Sequence, residues 1–85
     1  MKTISYTITD PQGVHARPAT QLVKVLNGFA SNVTAQKGAQ RAGGKSIMGL
    51  MSLKLAQGET LTLEFDGADE AQAAQAALAF LQENF

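Results

Sequence analysis

The only histidine of this chain, His15, is followed two residues later by an arginine, in the run Gly13-Val14-His15-Ala16-Arg17-Pro18-Ala19-Thr20. A neutral imidazole is an effective nucleophile, and a guanidinium group can donate two parallel hydrogen bonds to phosphate oxygens. Together, these two side chains indicate a site that accepts a phosphoryl group. Apart from Asp10, no Asp, Glu, Ser or Cys lies nearby in the sequence as a general base for hydrolysis. We therefore expect the phosphoryl group to be held for transfer.

The run that contains His15 lies where a helix is predicted to begin. Turn-forming residues precede it, and apolar side chains then repeat at helical spacing, at Ala19, Leu22, Val23 and Leu26. The first N–H groups of a helix have no acceptor within the helix, so those of Ala16 and Arg17 are predicted to bind phosphate. Pro18 suits the first turn, where its missing N–H loses no hydrogen bond. A lone histidine here is more often only a polar cap, but the neighbouring arginine favours the chemical interpretation.

Apolar residues that alternate with polar ones predict three strands, each with one buried face. They are Ile4, Tyr6 and Ile8; Val33 and Ala35; and Leu61, Leu63 and Phe65. A weaker strand is predicted at about residues 39–42, after a turn at Lys37-Gly38. A helix with Asp69 and Glu70 at its beginning is predicted to close the chain. The order β-α-β-β-α-β-α predicts an α+β fold, a four-stranded antiparallel sheet with three helices on one face.

A second motif lies around Ser46, in the run Lys45-Ser46-Ile47-Met48-Gly49-Leu50-Met51-Ser52-Leu53. Serine is a preferred N-cap residue, so Ser46 is predicted to cap a short helix. Gly44-Lys45-Ser46 also matches the end of a nucleotide-binding P-loop. That motif requires a glycine at position 39, where this chain has Ala39, so we reject a nucleotide site.

The short helix and the helix after His15 are predicted to form a surface for partner proteins. Leu50 and Leu53 fall on the side of the short helix that is predicted to be buried. Ile47, Met48 and Met51 fall on a side that is predicted to face solvent. The alternative is that all five belong to the core. The predicted docking residues are Thr20, Lys24, Lys45, Ile47, Met48 and Met51.

Both motifs, their spacing, the chain length and the element order resemble HPr, the histidine-containing phosphocarrier family of the bacterial phosphoenolpyruvate-dependent sugar phosphotransferase system. The resemblance covers the whole chain and implies an HPr-like open-faced sandwich. It implies that His15 accepts a phosphoryl group on its pros nitrogen from phosphorylated enzyme I and passes it to the IIA domains of sugar permeases. Arg17 would stabilise the phosphohistidine. No cofactor is expected.

The resemblance also implies regulation at Ser46, which matches a serine that HPr kinase/phosphorylase modifies in many relatives. A phosphate there adds about −2 charge at neutral pH and would change partner choice, repelling enzyme I and attracting a catabolite-control transcription regulator. The alternative is a regulatory HPr paralogue, of the nitrogen-branch or catabolite-control type, that acts mainly through protein contacts. A small hydrolase built on His15 and Arg17 lacks a second general acid or base.

Composition limits the remaining classes of function. The 85 residues suffice for one domain, residues 1–85, and seven basic against seven acidic side chains argue against nucleic-acid binding. With no cysteine and one histidine, no metal site is expected. No apolar stretch is long enough to span a membrane and no export signal is recognisable, so we expect a cytoplasmic monomer.

Three positions depart from the usual HPr pattern. Lys54 replaces a glycine that is common after the second helix, so either the backbone there has a negative φ or Lys54 accepts strain. Gly43-Gly44 is expected to loosen the segment before Ser46. Gln12 occupies a variable site in the loop before His15, and its role is open.

Overall fold

The computed structural model describes residues 1–85, which form a four-stranded sheet and three helices. The elements are β1 (Lys2–Thr7), α1 (Ala16–Asn27), β2 (Asn32–Lys37), β3 (Gln40–Gly43), α2 (Ile47–Ser52), β4 (Thr60–Asp66) and α3 (Glu70–Asn84). The strands lie in the order β1-β4-β2-β3, and every neighbouring pair is antiparallel. The predicted α+β class and element order are confirmed.

The strand alternation gives the sheet one apolar and one polar face. Ile4 pairs with Leu63, and Leu63 pairs on its other side with Ala35, so one apolar row crosses three strands. In the neighbouring row, which points to the opposite face, Ser5 and Thr62 share a hydrogen bond of 3.2 Å between their hydroxyl oxygens. Only the apolar face needs cover, because hydroxyl groups remain solvated.

The helices cover the apolar face and enclose a core of 17 buried residues. Helix α1 contributes Leu22 and Leu26, and α3 contributes Ala77 and Leu81, all at most 1% exposed. The small side chains of α3 let that helix lie close to the sheet. Burial of one large side chain, such as that of Phe65, contributes roughly 1.5–3 kcal/mol of stability.

The predicted turn between β2 and β3 is wrong by one residue. Lys37 pairs with Gln40, so the two-residue turn consists of Gly38 and Ala39, and β3 begins at Gln40. A glycine signals a turn in the sequence, but only the pairing of the strands decides which neighbour joins it. Lys37 therefore follows Val33 and Ala35 on the helix-covered face of β2, where its side chain is 25% exposed.

The segment before α2 is packed tightly, contrary to the looseness expected from its two glycines. Gly44 is buried and its N–H donates to the carbonyl of Val33 at 2.9 Å. A side chain at position 44 would collide with Val33. Glycine here permits close approach of two backbones. None of the helices is long and apolar enough to cross a membrane.

Candidate functional site

His15 is the N-cap of α1, with an extended backbone (φ −119°, ψ 171°), so the helix begins where the sequence predicted. Its half-buried imidazole makes no capping hydrogen bond to the helix. Nδ1 lies 3.2 Å from the carbonyl oxygen of Gly13. The interpretation of His15 as only a polar cap therefore finds no support in the geometry.

Two backbone N–H groups at the beginning of α1 have no acceptor in the structure, those of Ala16 and Arg17. Pro18 has no N–H, and the N–H of Ala19 donates to the carbonyl of His15 at 3.1 Å. The two free donors and the helix dipole make this end of α1 suited to an anion. The free donors are the two that the sequence predicted.

The guanidinium of Arg17 is also available, because its side chain is exposed and no carboxylate lies within ion-pair distance. Asp10 accepts the N–H of Gln12 at 2.8 Å and stabilises the turn before His15. The site thus combines a nucleophile with three sources of N–H donors. It can stabilise a phosphoryl group on the imidazole.

The loop between β1 and α1, residues 8–15, rests on the loop between α2 and β4, residues 53–59. The N–H of Val14 donates to the carbonyl of Leu55 at 2.9 Å. Gly13 has a positive φ of 67°, and its Cα lies so close to Leu55 that any Cβ would collide with the carbonyl oxygen. Glycine is required here for both reasons. The position of His15 therefore depends on the α2–β4 loop.

Ser46 caps α2, as predicted. Its Oγ accepts the N–H of Gly49 at 3.1 Å, and the residue is exposed. Leu50 and Leu53 are each 1% exposed and belong to the core. The three apolar side chains predicted to face solvent do so: Ile47 is 38%, Met48 83% and Met51 36% exposed.

The polar side chains predicted to dock partners differ in whether they already have a hydrogen-bond partner within the protein. Lys24 is exposed in the last turn of α1 without a paired carboxylate. Thr20 donates its hydroxyl to the carbonyl of Ala16 at 2.7 Å, and Lys45 donates its ammonium to the carbonyl of Phe29 at 2.7 Å. Helices α1 and α2 pack against each other, so the predicted docking residues lie on adjacent helices, except for Lys45, which lies in the segment before α2. Lys45 also has an internal structural role that the sequence did not indicate.

The sequence interpretation missed Lys37, which it placed in a turn. Its ammonium donates to the carbonyls of Leu53 at 3.1 Å and Lys54 at 3.3 Å, and lies 3.0 Å from Oε2 of Glu59. The other carboxylate oxygen of Glu59 accepts the N–H of Ala56 at 2.8 Å. Hydrogen bonds from Lys37 and from this N–H hold the pKa of Glu59 below its ordinary value. No local sequence signal links Lys37 to these partners.

Lys54 has a positive φ of 51°, so it accepts strain in place of the glycine common in HPr proteins. Left-handed backbone costs an ordinary residue roughly 1–2 kcal/mol. The N–H of Lys54 donates to the carbonyl of Met51 at 3.2 Å, and its own carbonyl accepts from Lys37. These bonds keep the end of α2 in this conformation.

A groove of about 260 Å³ lies between β1 and α3, lined by Lys2, Thr3, Ile4, Ala71, Ala74, Gln75 and Leu78. None of the predicted site residues lines this groove, and no concave pocket surrounds the half-buried His15. A phosphoryl donor for such a site is better presented by another protein than bound as a small molecule, which would need a concave pocket.

Comparison with known proteins gives a consistent result. The family described as "PTS HPr component phosphorylation site" matches residues 2–83. A phosphocarrier protein HPr from Lysinibacillus sphaericus is 46% identical over 98% of this chain and 94% of its own length. The structure is similar to that of a histidine-containing phosphocarrier protein of Mycoplasma, with a TM-score of 0.92, 36% identity and coverage of 96% of this chain and 93% of that one.

A second structural relative is Crh, the catabolite repression HPr of Bacillus subtilis, in a crystal structure described as a domain-swapped, intertwined dimer. Its TM-score is 0.78, its identity 38%, and the match covers 92% of this chain and 90% of Crh. The family match spans both sequence motifs and nearly the whole fold. The chain therefore belongs to the HPr family, the phosphocarrier proteins of the phosphotransferase system.

Proposed function

We propose that His15 accepts a phosphoryl group from phosphorylated enzyme I and passes it to the IIA domains of sugar permeases in the cytoplasm. The observation that carries this proposal is the arrangement at the beginning of α1, where the N–H groups of Ala16 and Arg17 directly follow the half-buried His15 without an acceptor and the exposed Arg17 side chain has no ion-pair partner. Membership of the HPr family supports the choice of partners.

In the proposed transfer, a lone pair of His15 attacks phosphorus while the bond from phosphorus to the donor atom of enzyme I breaks. The bonding electrons remain with the donor. Negative charge on the phosphoryl oxygens is stabilised by the N–H groups of Ala16 and Arg17 and by the Arg17 guanidinium. The same donors then stabilise the phosphohistidine until a IIA domain attacks it.

We propose the pros nitrogen, Nδ1, as the acceptor, which gives the contact with Gly13 a role. Only a protonated Nδ1 can donate to the Gly13 carbonyl 3.2 Å away, and a protonated Nδ1 has no lone pair for attack. Phosphorylation at Nδ1 therefore requires the tautomer in which the ring proton is on Nε2, and requires the Gly13 contact to open. The carbonyl orients the imidazole in the resting protein and is released on transfer.

The first test is intact mass after incubation with enzyme I, Mg²⁺ and phosphoenolpyruvate. We expect one acid-labile phosphate on the native chain and none on His15→Ala, with Ser46→Ala accepting normally as the matched control. Phosphorus-nitrogen coupling in NMR then identifies the modified nitrogen. No adduct with a competent enzyme I contradicts the carrier role, and coupling to Nε2 contradicts the assignment to Nδ1.

Regulatory phosphorylation at Ser46, by HPr kinase/phosphorylase, is the second part of the proposal. Ser46 is exposed and precedes the exposed side chains of Ile47 and Met48, so a phosphate would add charge beside an apolar docking patch. It would weaken docking of enzyme I and favour a catabolite-control transcription regulator. The test is the rate of His15 phosphorylation before and after treatment with the kinase and ATP, with Ser46→Ala as control. An unchanged rate contradicts this regulation.

The similarity to Crh favours one alternative, a regulatory paralogue that acts mainly through protein contacts. A nitrogen-branch HPr paralogue is the other form of it. Both make Ser46 and the surface of α2 more important than His15. The enzyme I experiment distinguishes a regulatory paralogue from a phosphocarrier, because a regulatory protein of this kind need not accept a phosphoryl group at His15. The oligomeric state, for which we propose a monomer, is measured in the same samples by light scattering.

A further inference from the structure

We propose that Lys37 is a positioning residue for His15, acting through the α2–β4 loop. This inference rests on the proposed role of His15 as the phosphoryl acceptor. Lys37 lies at the end of β2 and belongs to neither sequence motif, yet its ammonium joins the beginning of the α2–β4 loop to the sheet. The end of that loop is also held by backbone bonds between Ile8 and residues 58 and 59.

The three N–H donors of the Lys37 ammonium have three oxygen partners. Two are backbone carbonyls, those of Leu53 and Lys54, and the third is the carboxylate of Glu59. Each N–H of the ammonium therefore has an acceptor, and the Lys37 side chain as a whole is only 25% exposed. Glu59 extends the network by accepting the N–H of Ala56. Lys37 thus contacts both ends of the segment 53–59, the first end through two carbonyl hydrogen bonds and the last through the ion pair with Glu59.

The segment held in this way is strained, which gives the network a purpose. Lys54 has a positive φ of 51°, a conformation that glycine adopts without strain but lysine does not. Without the bond from Lys37 to the Lys54 carbonyl, the backbone could relax toward negative φ. Such a change would rotate the peptide that leads into Leu55, whose carbonyl supports the β1–α1 loop.

Direct contacts connect Leu55 to His15. The Leu55 carbonyl accepts the N–H of Val14 at 2.9 Å and touches Gly13, which has no room for a side chain. Gly13 and Val14 directly precede His15 in the chain, so their backbone sets the position of His15, and in the resting protein the Gly13 carbonyl also lies 3.2 Å from Nδ1. A shift of Leu55 therefore moves Gly13, and with it the imidazole relative to the two free N–H groups of α1. Misplacement of a reacting group by about 1 Å can cost roughly 100-fold in rate.

The chain offers a clean chemical test, because it contains no cysteine. In Lys37→Cys the single thiol can be alkylated with 2-bromoethylamine, which restores an ammonium on a side chain of nearly the original length. Alkylation with iodoacetamide gives a neutral side chain of similar size. Both products are compared with the native chain as substrates of enzyme I, and each variant's fold is checked by circular dichroism.

We expect the neutral product to lower kcat for phosphoryl acceptance about tenfold, with KM changed less than about twofold, and the aminoethyl product to restore kcat. Hydrogen exchange provides a readout that does not depend on phosphorylation. The Val14 N–H, bonded to Leu55, is expected to exchange faster in the neutral product, whereas the Gly44 N–H, bonded to Val33, is expected to be unchanged.

Arg41→Cys is the matched control, because it removes an exposed ion pair of 3.2 Å with Glu64 that has no contact with the α2–β4 loop. It is expected to leave kcat unchanged. If Lys37→Cys does not fold, Glu59→Gln tests the same network while leaving the two carbonyl bonds of Lys37 in place, and a smaller loss of kcat is expected.

Three results would overturn the inference. They are an unchanged kcat in the neutral product, a rise in KM alone, which would place the effect on docking, and a loss that the aminoethyl product does not restore. Failure of the native chain to accept a phosphoryl group would instead refute the proposed function. In that case the exchange of the Val14 N–H still supports or refutes the positioning of the loop.

Discussion

Gly13 lies directly against the carbonyl of Leu55, so the residue two positions before His15 has no space for a side chain. The same contact continues through Val14, whose N–H donates to the Leu55 carbonyl at 2.9 Å. The loop that holds His15 is thus shaped by a segment about forty residues further along the chain. Two loops, each irregular by itself, thus meet next to His15.

Gly13→Ala is expected to destabilise the protein by about 1–3 kcal/mol, because φ of 67° is unfavourable for alanine and the new Cβ collides with Leu55. Phosphoryl acceptance should fall as well, since the collision displaces the loop. Urea unfolding and the enzyme I assay measure the two effects. Gly58→Ala is the control, because Gly58 has a φ of 89° but open space around it. Equal costs at the two positions would contradict the steric argument.

Arg17→Ala is expected to slow phosphoryl acceptance about 10- to 100-fold and to shorten the lifetime of the phosphohistidine, because it removes donors to the phosphoryl oxygens. Stability should change by less than about 0.5 kcal/mol, since Arg17 is exposed and has no ion-pair partner. Arg17→Lys keeps the charge without the paired donors and should be intermediate. Stopped-flow transfer and the decay of the phosphoprotein at pH 7 are the measurements. A native rate in Arg17→Ala would contradict the proposed role.

Lys54→Gly is expected to stabilise the protein by about 1 kcal/mol, because glycine adopts the φ of 51° without the penalty that lysine meets. The greater freedom of glycine in the unfolded chain offsets part of the gain. Thermal unfolding measures the difference, and Lys54→Ala, which keeps the Cβ, should unfold close to the native temperature. A Lys54→Gly protein that is no more stable than Lys54→Ala would show that Lys54 is not strained.

The pH dependence of stability should include a contribution from Asp69. Its carboxylate accepts the N–H groups of Ala30 and Ser31 at 2.8 and 2.9 Å and the hydroxyl of Ser31. The hydroxyl bond is the main cause that holds the pKa of Asp69 below its ordinary value of about 3.9, and the backbone bonds add to it. As the pH falls, Asp69 therefore becomes protonated in the unfolded chain at a higher pH than in the folded protein. The stabilisation is complete above about pH 5 and is lost progressively below about pH 4.

Urea unfolding from pH 7 to pH 2.5 tests this contribution, with Asp69→Asn as the variant. Asparagine remains uncharged throughout, so the variant should be less stable than the native protein at pH 7, and the difference should shrink toward pH 2.5. Glu83→Gln, at an exposed position of α3 without an ion-pair partner, is the control and should follow the native curve. A constant difference between native and Asp69→Asn would contradict the linkage to Asp69.

The parts of the fold and site that the sequence predicted correctly are those with local signals. Alternation of apolar residues predicts strands such as that around Leu61 and Leu63, because side chains on a strand point alternately to opposite faces. The spacing of Leu22 and Leu26 places α1, and with it the free N–H groups after His15. Ser46 was identifiable as a cap because the preference for serine there arises from its own backbone contacts.

The contacts that the sequence did not predict join distant residues. Lys37 and Glu59 are 22 positions apart, and their ion pair follows from the antiparallel pairing of β2 with β4 together with the end of α2. The glycine of the β2–β3 turn gave no indication that Lys37 stays in the strand. The bond from Lys45 to the carbonyl of Phe29 likewise depends on the packing of α1 against α2. Such contacts are consequences of tertiary structure, and no periodicity records them.

The exposed side chain of Met48 provides the sharpest test of the docking surface. It is 83% exposed, so Met48→Ala should change stability by less than about 0.5 kcal/mol while raising KM for enzyme I about five- to tenfold, because an apolar anchor is lost. Leu50→Ala, on the buried side of the same helix at 1% exposure, should instead cost about 2–5 kcal/mol of stability. Gln75→Ala, exposed on α3 beside the β1 groove, should change neither quantity. An unchanged KM for Met48→Ala would move the docking surface away from the exposed side of α2, since no other large apolar side chain there is as accessible.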